Sequence, residues 1–317
     1  HAGQTLADRL GQVDAALALY EQAALVAPEE PFGHLGRAQI LARKLQYEPA
    51  LEQAQKAAAR FGNLWEVYNV LAYLHGQKTL GPGGAPNPIH SPARSFEALD
   101  KGIALHPRSP ALLCNRGVLH VEADRLSDAE ADVRRALEVE PNWEPAHRLL
   151  GVIRRRQNRL EEAIQSYTRA VELDPAAAET WFNRANVYTT LGRSQESIAD
   201  FDRFLELRPG NAVGLIRRGG ARLLGRDAAG ARADFEAALR GESRYLSAIA
   251  TLAFDSGALP LAAEYADRLL REDPEDANAR RIRAFSHLVR GEDAAAEAEL
   301  QHGVSRAKDP THWWWQA

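Results

Sequence analysis

Apolar and small side chains return along this 317-residue chain with a period of 34 residues, marked by Pro107, Pro141, Pro175 and Pro209. Numbered within one period, positions 4, 7, 8 and 11 form one face of a first helix, at three- and four-residue spacing. Position 8 is small in Gly117, Gly151, Ala185 and Gly219, so a partner helix can approach closely there. A second face follows at positions 20, 24 and 27: Ala129, Ala163, Ser197 and Ala231, then Tyr167, Phe201 and Phe235, then Ala136, Ala170 and Ala238. Between the two faces, position 15 carries Gly11, Asp124, Asn158, Gly192, Gly257 and Gly291. These residue types tolerate the left-handed conformation that ends a helix. Ser127 and Glu130 have the spacing of a capping box for a second helix. The proline near position 32 stops that helix, so each period predicts two helices joined by a tight turn.

The registers are a partial repeat at 1–30, then 31–64, 65–109, 110–143, 144–177, 178–211, 212–242, 243–276 and 277–310, with a tail at 311–317. Glu144 opens EPAHRLLGVIRRRQNRLEEAIQSYTRAVELDP, and Ala178 opens AETWFNRANVYTTLGRSQESIADFDRFLELRP, with a large residue, Trp181, at position 4 and Tyr188 at position 11. These segments resemble the tetratricopeptide repeat, and the resemblance runs over essentially the whole chain. It implies an all-α fold, a right-handed superhelical solenoid of antiparallel helix pairs, as one array over 1–317. In that family the first helices line a concave face through positions 2, 5, 9, 12 and 13, where extended peptides or helices bind. Carried over residue by residue, the face holds Asn69, Tyr73, Cys114, Val118, Arg148, Val152, Arg155 and Arg156, then Phe182, Asn186, Thr189 and Thr190. Further on it holds Ile216, Gly220, Thr251, Phe254, Arg281 and Phe285. The candidate peptide-binding set is Asn69, Tyr73, Arg148, Val152, Arg155, Phe182 and Asn186. Asparagine can bond an extended backbone, arginine can clamp a carboxylate, and aromatics can anchor apolar side chains. An acidic group near Arg148 and Arg155 is one reading; a solvated charge run through Arg154, Arg155, Arg156 and Arg159 is the other. The Lys/Asn pattern by which some family members clamp chaperone tails is absent.

A second pattern is internal to the sequence. Position 7 is Arg116, Arg184, Arg218 and Arg283 in four repeats, and position 23 of those repeats is Asp132, Asp200, Asp234 and Glu299. Where position 7 is apolar, as in Leu71, Leu150 and Ile249, position 23 is Ala98, Ser166 and Tyr265. Charges that appear and vanish together predict an ion pair between the two helices of a repeat. Arg37 departs, because Gln53 stands opposite it.

Composition narrows the function classes. A net charge of −4 and a pI near 6.2 argue against general nucleic-acid binding. No run of apolar residues is long enough to span a bilayer. The single cysteine, Cys114, excludes an intrachain disulfide and falls at a groove position. No motif for a catalytic constellation, metal site or phosphate loop occurs, so no enzyme activity, metal or cofactor is expected. His75, His120 and His287 share position 11, on the packed face. The insertion LGPGGAPNPIHSP, within 80–92, is too rich in proline and glycine to predict a strand or helix. It is either a tolerated surface loop or a flap at the rim of the groove. Trp313, Trp314 and Trp315 in the tail either cover the last apolar edge or support self-association.

The expected partner is a protein or peptide, in a scaffold or adaptor role within a larger assembly. Two alternatives are a recognition arm of a larger enzyme or secretion or envelope protein, and a self-associating structural protein. The chain starts at His1 and holds no methionine, so it is read as not a complete primary translation product. That leaves cytoplasm and periplasm both open. Its alanine- and arginine-rich composition resembles that of high-GC bacterial proteins.

Overall fold

The computed structural model describes residues 13–27, 30–80, 85–240 and 243–306. The tryptophan tail and Gly11 lie outside the described residues. Two compact units divide the chain, His1–Arg159 and Leu160–Ala317. The first holds α1 (Val13–Val26), α2 (Pro31–Arg43), α3 (Tyr47–Phe61) and α4 (Trp65–Gly76), then α5 (Pro92–Leu105), α6 (Pro110–Glu122), α7 (Leu126–Val139) and α8 (Glu144–Arg156). The second holds α9 (Leu160–Leu173), α10 (Ala178–Thr190), α11 (Ser194–Leu207), α12 (Ala212–Leu224) and α13 (Ala228–Ala238). After a 3-10 turn at Ser243–Tyr245 come α14 (Leu246–Asp255), α15 (Leu259–Glu272), α16 (Ala277–Val289) and α17 (Asp293–Arg306). The fold is all-α, and within each unit consecutive helices pack as antiparallel pairs joined by short turns. First helices of successive repeats also pack side by side: α2, α4, α6 and α8 in the first unit, α10, α12, α14 and α16 in the second.

The small positions do what their spacing predicts. Ala129, Ala136, Ala163, Ala170, Ala185, Ser197 and Ala231 are fully enclosed, and Tyr167, Phe201 and Phe235 fill the space beside them. The large residue at position 4 has a polar task as well. His147 and Trp181 donate to the carbonyls of Pro141 and Pro175 at 2.7 and 3.0 Å, and Arg280 donates to that of Pro274 at 2.5 Å. Each bond ties a first helix to the loop that ends the preceding repeat and gives a partner to a loop carbonyl there.

Position 15 adopts positive φ at Asp124, Asn158, Gly192, Gly257 and Gly291, as expected. The same turn occurs at Leu45 (φ 62°) and Arg226 (φ 63°), whose side chains give no sequence signal for it. A branched or long L-residue in this region carries about 1–2 kcal/mol of strain. Arg226 is exposed, so Arg226→Gly is expected to raise stability by about 1 kcal/mol, seen as a higher urea midpoint. An unchanged or lowered midpoint would show that the turn is not strained.

The capping-box reading of Ser127 and Glu130 is corrected. Helix α7 starts at Leu126 with Arg125 at the cap and no side-chain capping bond. Glu130 instead accepts from Arg134 at 2.7 Å, Gln157 at 3.1 Å and Arg159 at 3.0 Å. Burial works to raise its pKa, but these donors and the charge of Arg159 outweigh it and hold the carboxyl below its ordinary value.

The predicted Arg–carboxylate pairs form in all four repeats. Arg116 grips Asp132 through Nε and Nη2 at 2.8 and 2.7 Å. Arg184 grips Asp200 at 2.7 and 2.8 Å, and Arg218 grips Asp234 at 3.0 and 2.6 Å. Arg283 meets Glu299 at 2.5 Å. The spacing did not announce a second set of partners, drawn from the preceding repeat. Arg116 reaches Asp100 at 2.8 Å, Arg184 reaches Thr168 at 2.9 Å, and Arg218 reaches Asp202 at 2.6 Å. Arg283 faces Asp267 at 3.5 Å, and Arg37, without a forward acid, faces Glu21 at 3.8 Å. Every one of these backward partners stands sixteen residues before its arginine. One guanidinium therefore fastens two helices of its own repeat and the second helix of the repeat before it. Hydrogen bonding to Asp132 and to Asp100, with the charges of both, raises the Arg116 pKa against the opposing effect of burial.

The insertion departs from its expected lack of regular structure. Thr79–Leu80 pairs antiparallel with Ala85–Pro86, in register Thr79 to Pro86 and Leu80 to Ala85. Proline is tolerated on this two-stranded ladder because an edge strand has positions that need no N–H. Asn87, 5% exposed, anchors the segment: its Nδ2 donates to the carbonyls of Leu74 and Gln77 at 3.2 and 2.7 Å. Its Oδ1 accepts from the Ile89 amide at 3.0 Å. The Ser91 amide and the His90 ring add bonds to the His75 carbonyl at 2.9 and 3.1 Å. The buried His75 ring bonds the Ile89 carbonyl at 2.9 Å. The insertion thus caps the open carbonyls at the end of α4.

Candidate functional site

In the first unit, three consecutive first helices enclose a cleft of about 330 Å³. Helix α2 contributes Gln39 and Arg43, α4 contributes Asn69 and Tyr73, and α6 contributes Asn115, Val118 and Glu122. These side chains share one surface because residues three and four apart on a helix lie on one face. Gly76 and Gln77, at the point where the insertion docks, complete one end. Lys78 pairs with Glu122 at 3.3 Å and ties the start of the insertion to α6. Tyr73 is 46% exposed and Val118 is 40% exposed, so the cleft offers apolar surface to solvent. Asn115 donates to Asn69 across the two helices. Asn115 was not among the sequence candidates, because position 6 is not a groove position in the family pattern; only its proximity to Asn69 reveals it. Amide side chains combine donor and acceptor in one group, which is what an extended peptide backbone requires.

The remaining candidates divide. Arg148, Val152 and Arg155 lie on α8 of the same unit. Arg148 pairs with Glu144 at 3.3 Å, one turn earlier on its own helix. Val152 is half-buried against the unit's core. Arg155 is exposed, while the neighbouring Arg156 bonds the Val121 carbonyl. Cys114 belongs to the core and not to the open surface: it is 4% exposed. Burial pushes its thiol up to about 12, so the thiolate is scarce at neutral pH.

Phe182 and Asn186 belong to the second unit. The Phe182 ring packs on Phe201 and Phe204, with centroids 5.6 and 5.0 Å away. The Asn186 amide donates to the Phe182 carbonyl at 2.7 Å. Thr189 and Thr190 likewise bond carbonyls of their own helix, Ala185 and Asn186, each at 3.0 Å. Ile216 and Gly220 are buried. The second unit does cluster four other groove positions, Thr251, Phe254, Arg281 and Phe285, on α14 and α16. Among the described residues, no three histidine, cysteine or acidic side chains are grouped as a metal site. No described helix is long and apolar enough to cross a membrane.

Family models match the chain in three stretches, one described as TPR repeat over residues 151–192 and two as tetratricopeptide repeat over 178–211 and 247–310. No curated protein matches it. Among solved structures, a tetratricopeptide repeat protein from Parabacteroides merdae is 26% identical, over 63% of this chain and 80% of its own, with a TM-score of 0.53. Pseudomonas aeruginosa pilF is 19% identical over 69% of this chain and 96% of its own, with a TM-score of 0.54. The human IFIT1 dimer with m7Gppp-AAAA is 16% identical over 94% of this chain and 68% of its own, with a TM-score of 0.61. The last two likenesses are of fold alone. Repeat signature, stacked helix pairs and family-model matches agree: the chain is a member of the tetratricopeptide-repeat family.

Proposed function

We propose that this chain is a non-catalytic scaffold that binds an extended peptide segment of a partner protein in the cleft of its first unit. Tetratricopeptide repeats in general mediate protein–protein interaction. The observation that carries the finer reading is the cleft itself. Three consecutive first helices present Gln39, Asn69 and Asn115 beside the exposed ring of Tyr73. Amides suit a peptide backbone, and an aromatic ring that is half exposed suits an apolar anchor. Arg155 extends the reading to an acidic group on the ligand, because its charge is exposed on the same unit.

The test compares the native chain with a Tyr73→Ala, Asn115→Ala double variant and with Arg155→Glu, each checked for helix content. A partner captured from the source lysate is mapped to a peptide, and its affinity is measured by calorimetry. The double variant is expected to weaken binding at least about tenfold, a loss of about 1.4 kcal/mol. Arg155→Glu is expected to weaken an acidic ligand and leave a neutral one unaffected. Equal affinity for the native chain and the double variant would move the site away from this cleft.

A further inference from the structure

His75, His120 and His287 share repeat position 11, and their ring nitrogens are served differently. His75 bonds the Ile89 carbonyl at 2.9 Å, and His287 bonds the Glu292 carboxylate. The His120 Nδ1 is shut off from solvent and has no hydrogen-bond partner among the described residues. The ring sits where α5, α6 and α7 meet, with its side chain 12% exposed. From α5, Phe96 packs against it with centroids 5.1 Å apart, and Asp100 shares the same cleft. From α7, Asp132 comes within 3.8 Å of Nε2 and Asp128 within 3.9 Å of Nδ1. Arg135 completes that side, 3.6 Å from Asp132. Helix α6 itself supplies Arg116, and the turn after it supplies Arg125, whose guanidinium lies over Phe96, 4.4 Å from the centroid.

The acids at this joint are largely taken. Asp132 accepts from Arg116 with both oxygens, and Asp100 accepts a further bond from the same guanidinium. Arg125 makes no ion pair among the described residues. An imidazolium would therefore stand as an added cation beside Arg116 and Arg125, with Asp128, 60% exposed, left to answer it. Burial first, and then the charge of Arg125, hold the His120 pKa below its ordinary value, against the pull of Asp132 and Asp128. A base held in that direction takes up its proton more readily once the joint has opened. Its contribution to keeping the joint closed is complete above the ordinary histidine pKa and is lost as pH falls below it. Repeat 178–211 has the same frame around a ring that gains no charge in this range. There Tyr188 occupies position 11, and Arg184 and Arg193, at positions 7 and 16, lie 5.8 and 4.7 Å from its centroid.

We propose that His120 is a proton-operated latch on the joint between repeats 65–109 and 110–143. Neutral, the ring leaves Arg125 seated on Phe96. Protonated, it repels Arg125 from that ring, draws Asp128 inward and loosens the turn between α6 and α7 from α5. The cleft of about 580 Å³ lined by these side chains gives them room to exchange. None of Phe96, His120, Arg125 and Asp128 lines the first-unit cleft, so the latch stands apart from the proposed peptide site.

The test follows hydrogen–deuterium exchange of the full chain by mass spectrometry at about pH 8 and about pH 5, on either side of the ordinary histidine range. Rates are corrected for the intrinsic pH dependence of exchange. Peptides covering the turn between α6 and α7 are expected to lose protection at the lower pH by at least about fivefold. Peptides covering the turn between α10 and α11, beside Tyr188, are expected to keep theirs. His120→Tyr, which copies repeat 178–211, is expected to abolish the loss, and His120→Gln replaces it if the larger ring disturbs the fold. Arg125→Gln, at an exposed position, is expected to reduce the loss and to raise the His120 titration midpoint followed by NMR. Equal protection at the two pH values overturns the proposal. So does an undiminished loss in the variant without His120, or a His120 midpoint that Arg125→Gln leaves unmoved.

Discussion

Arg184→Ala is expected to lower stability by about 3–5 kcal/mol, the range for removing one partner of a buried ion pair. The reason lies in what remains. The Arg184 and Asp200 side chains are 12% and 7% exposed, so the substitution strands a carboxylate away from water. Thr168 also loses its bond to the guanidinium. Burial pulls the Arg184 pKa down, but the hydrogen bonds and charge of Asp200 outweigh it, and the group stays protonated above its ordinary value. Arg218→Ala is expected to cost less, because Asp234 keeps a second cation, Arg222, at 2.9 Å. The double variant Arg184→Leu, Asp200→Ala is expected to recover most of the loss. The chain already uses that solution at Leu71 and Ala98, and replacing a whole buried pair with apolar groups is near neutral or stabilising. Urea unfolding of the three variants checks the order. Equal losses in Arg184→Ala and Arg218→Ala would mean that Arg222 does not compensate, and a double variant as unstable as the single would remove the stranded-charge explanation.

Gly219→Ala is expected to destabilise by about 1–3 kcal/mol, the usual cost of overpacking a filled core, although alanine is the better helix former by about 1 kcal/mol. An added Cβ at residue 219 would stand 2.4 Å from Phe235 Cε1. The Phe235 ring cannot retreat cheaply, since it is fully buried and packs edge to face on Tyr265 at 5.8 Å. Gly117 occupies the same repeat position with more room: its nearest neighbours would be Leu149 Cδ2 at 3.2 Å and Val133 Cγ2 at 3.4 Å. Gly117→Ala is therefore expected to be neutral or stabilising by up to about 1 kcal/mol. Thermal melts of the two variants separate steric need from family habit. A shift of the same sign in both would show that the two sites are equally filled.

The contrast between those glycines shows where sequence reasoning reaches its limit. Both stand at position 8, and the repeat pattern treats them alike; the identity and packing of the facing side chain decides which one is indispensable. The groove candidates divide for the same reason. Asn69 and Tyr73 do open into a cleft, but Cys114 turns into the core. Phe182 packs on Phe201 and Phe204, and Asn186 bonds its own helix. Asn115 enters the site from a position the pattern does not mark, because α4 and α6 lie close enough for its amide to reach Asn69.

The sequence by itself determined the repeat unit, the helix pairs, the left-handed turns at glycine, asparagine and aspartate, and the Arg–carboxylate pairs inside four repeats. These follow from residues on one helix or on two helices joined by a short turn, so fixed spacing along the chain translates directly into proximity. Only the tertiary structure decided the backward partners Asp100, Thr168, Asp202 and Asp267, the docking of the insertion through Asn87, and the placement of Arg281 on Phe254. Each depends on how one repeat is set against the next, or on which neighbour reaches a polar atom first. That placement arises from packing summed over many side chains, and the sixteen-residue spacing of the backward partners acquires its meaning only once the repeats are stacked.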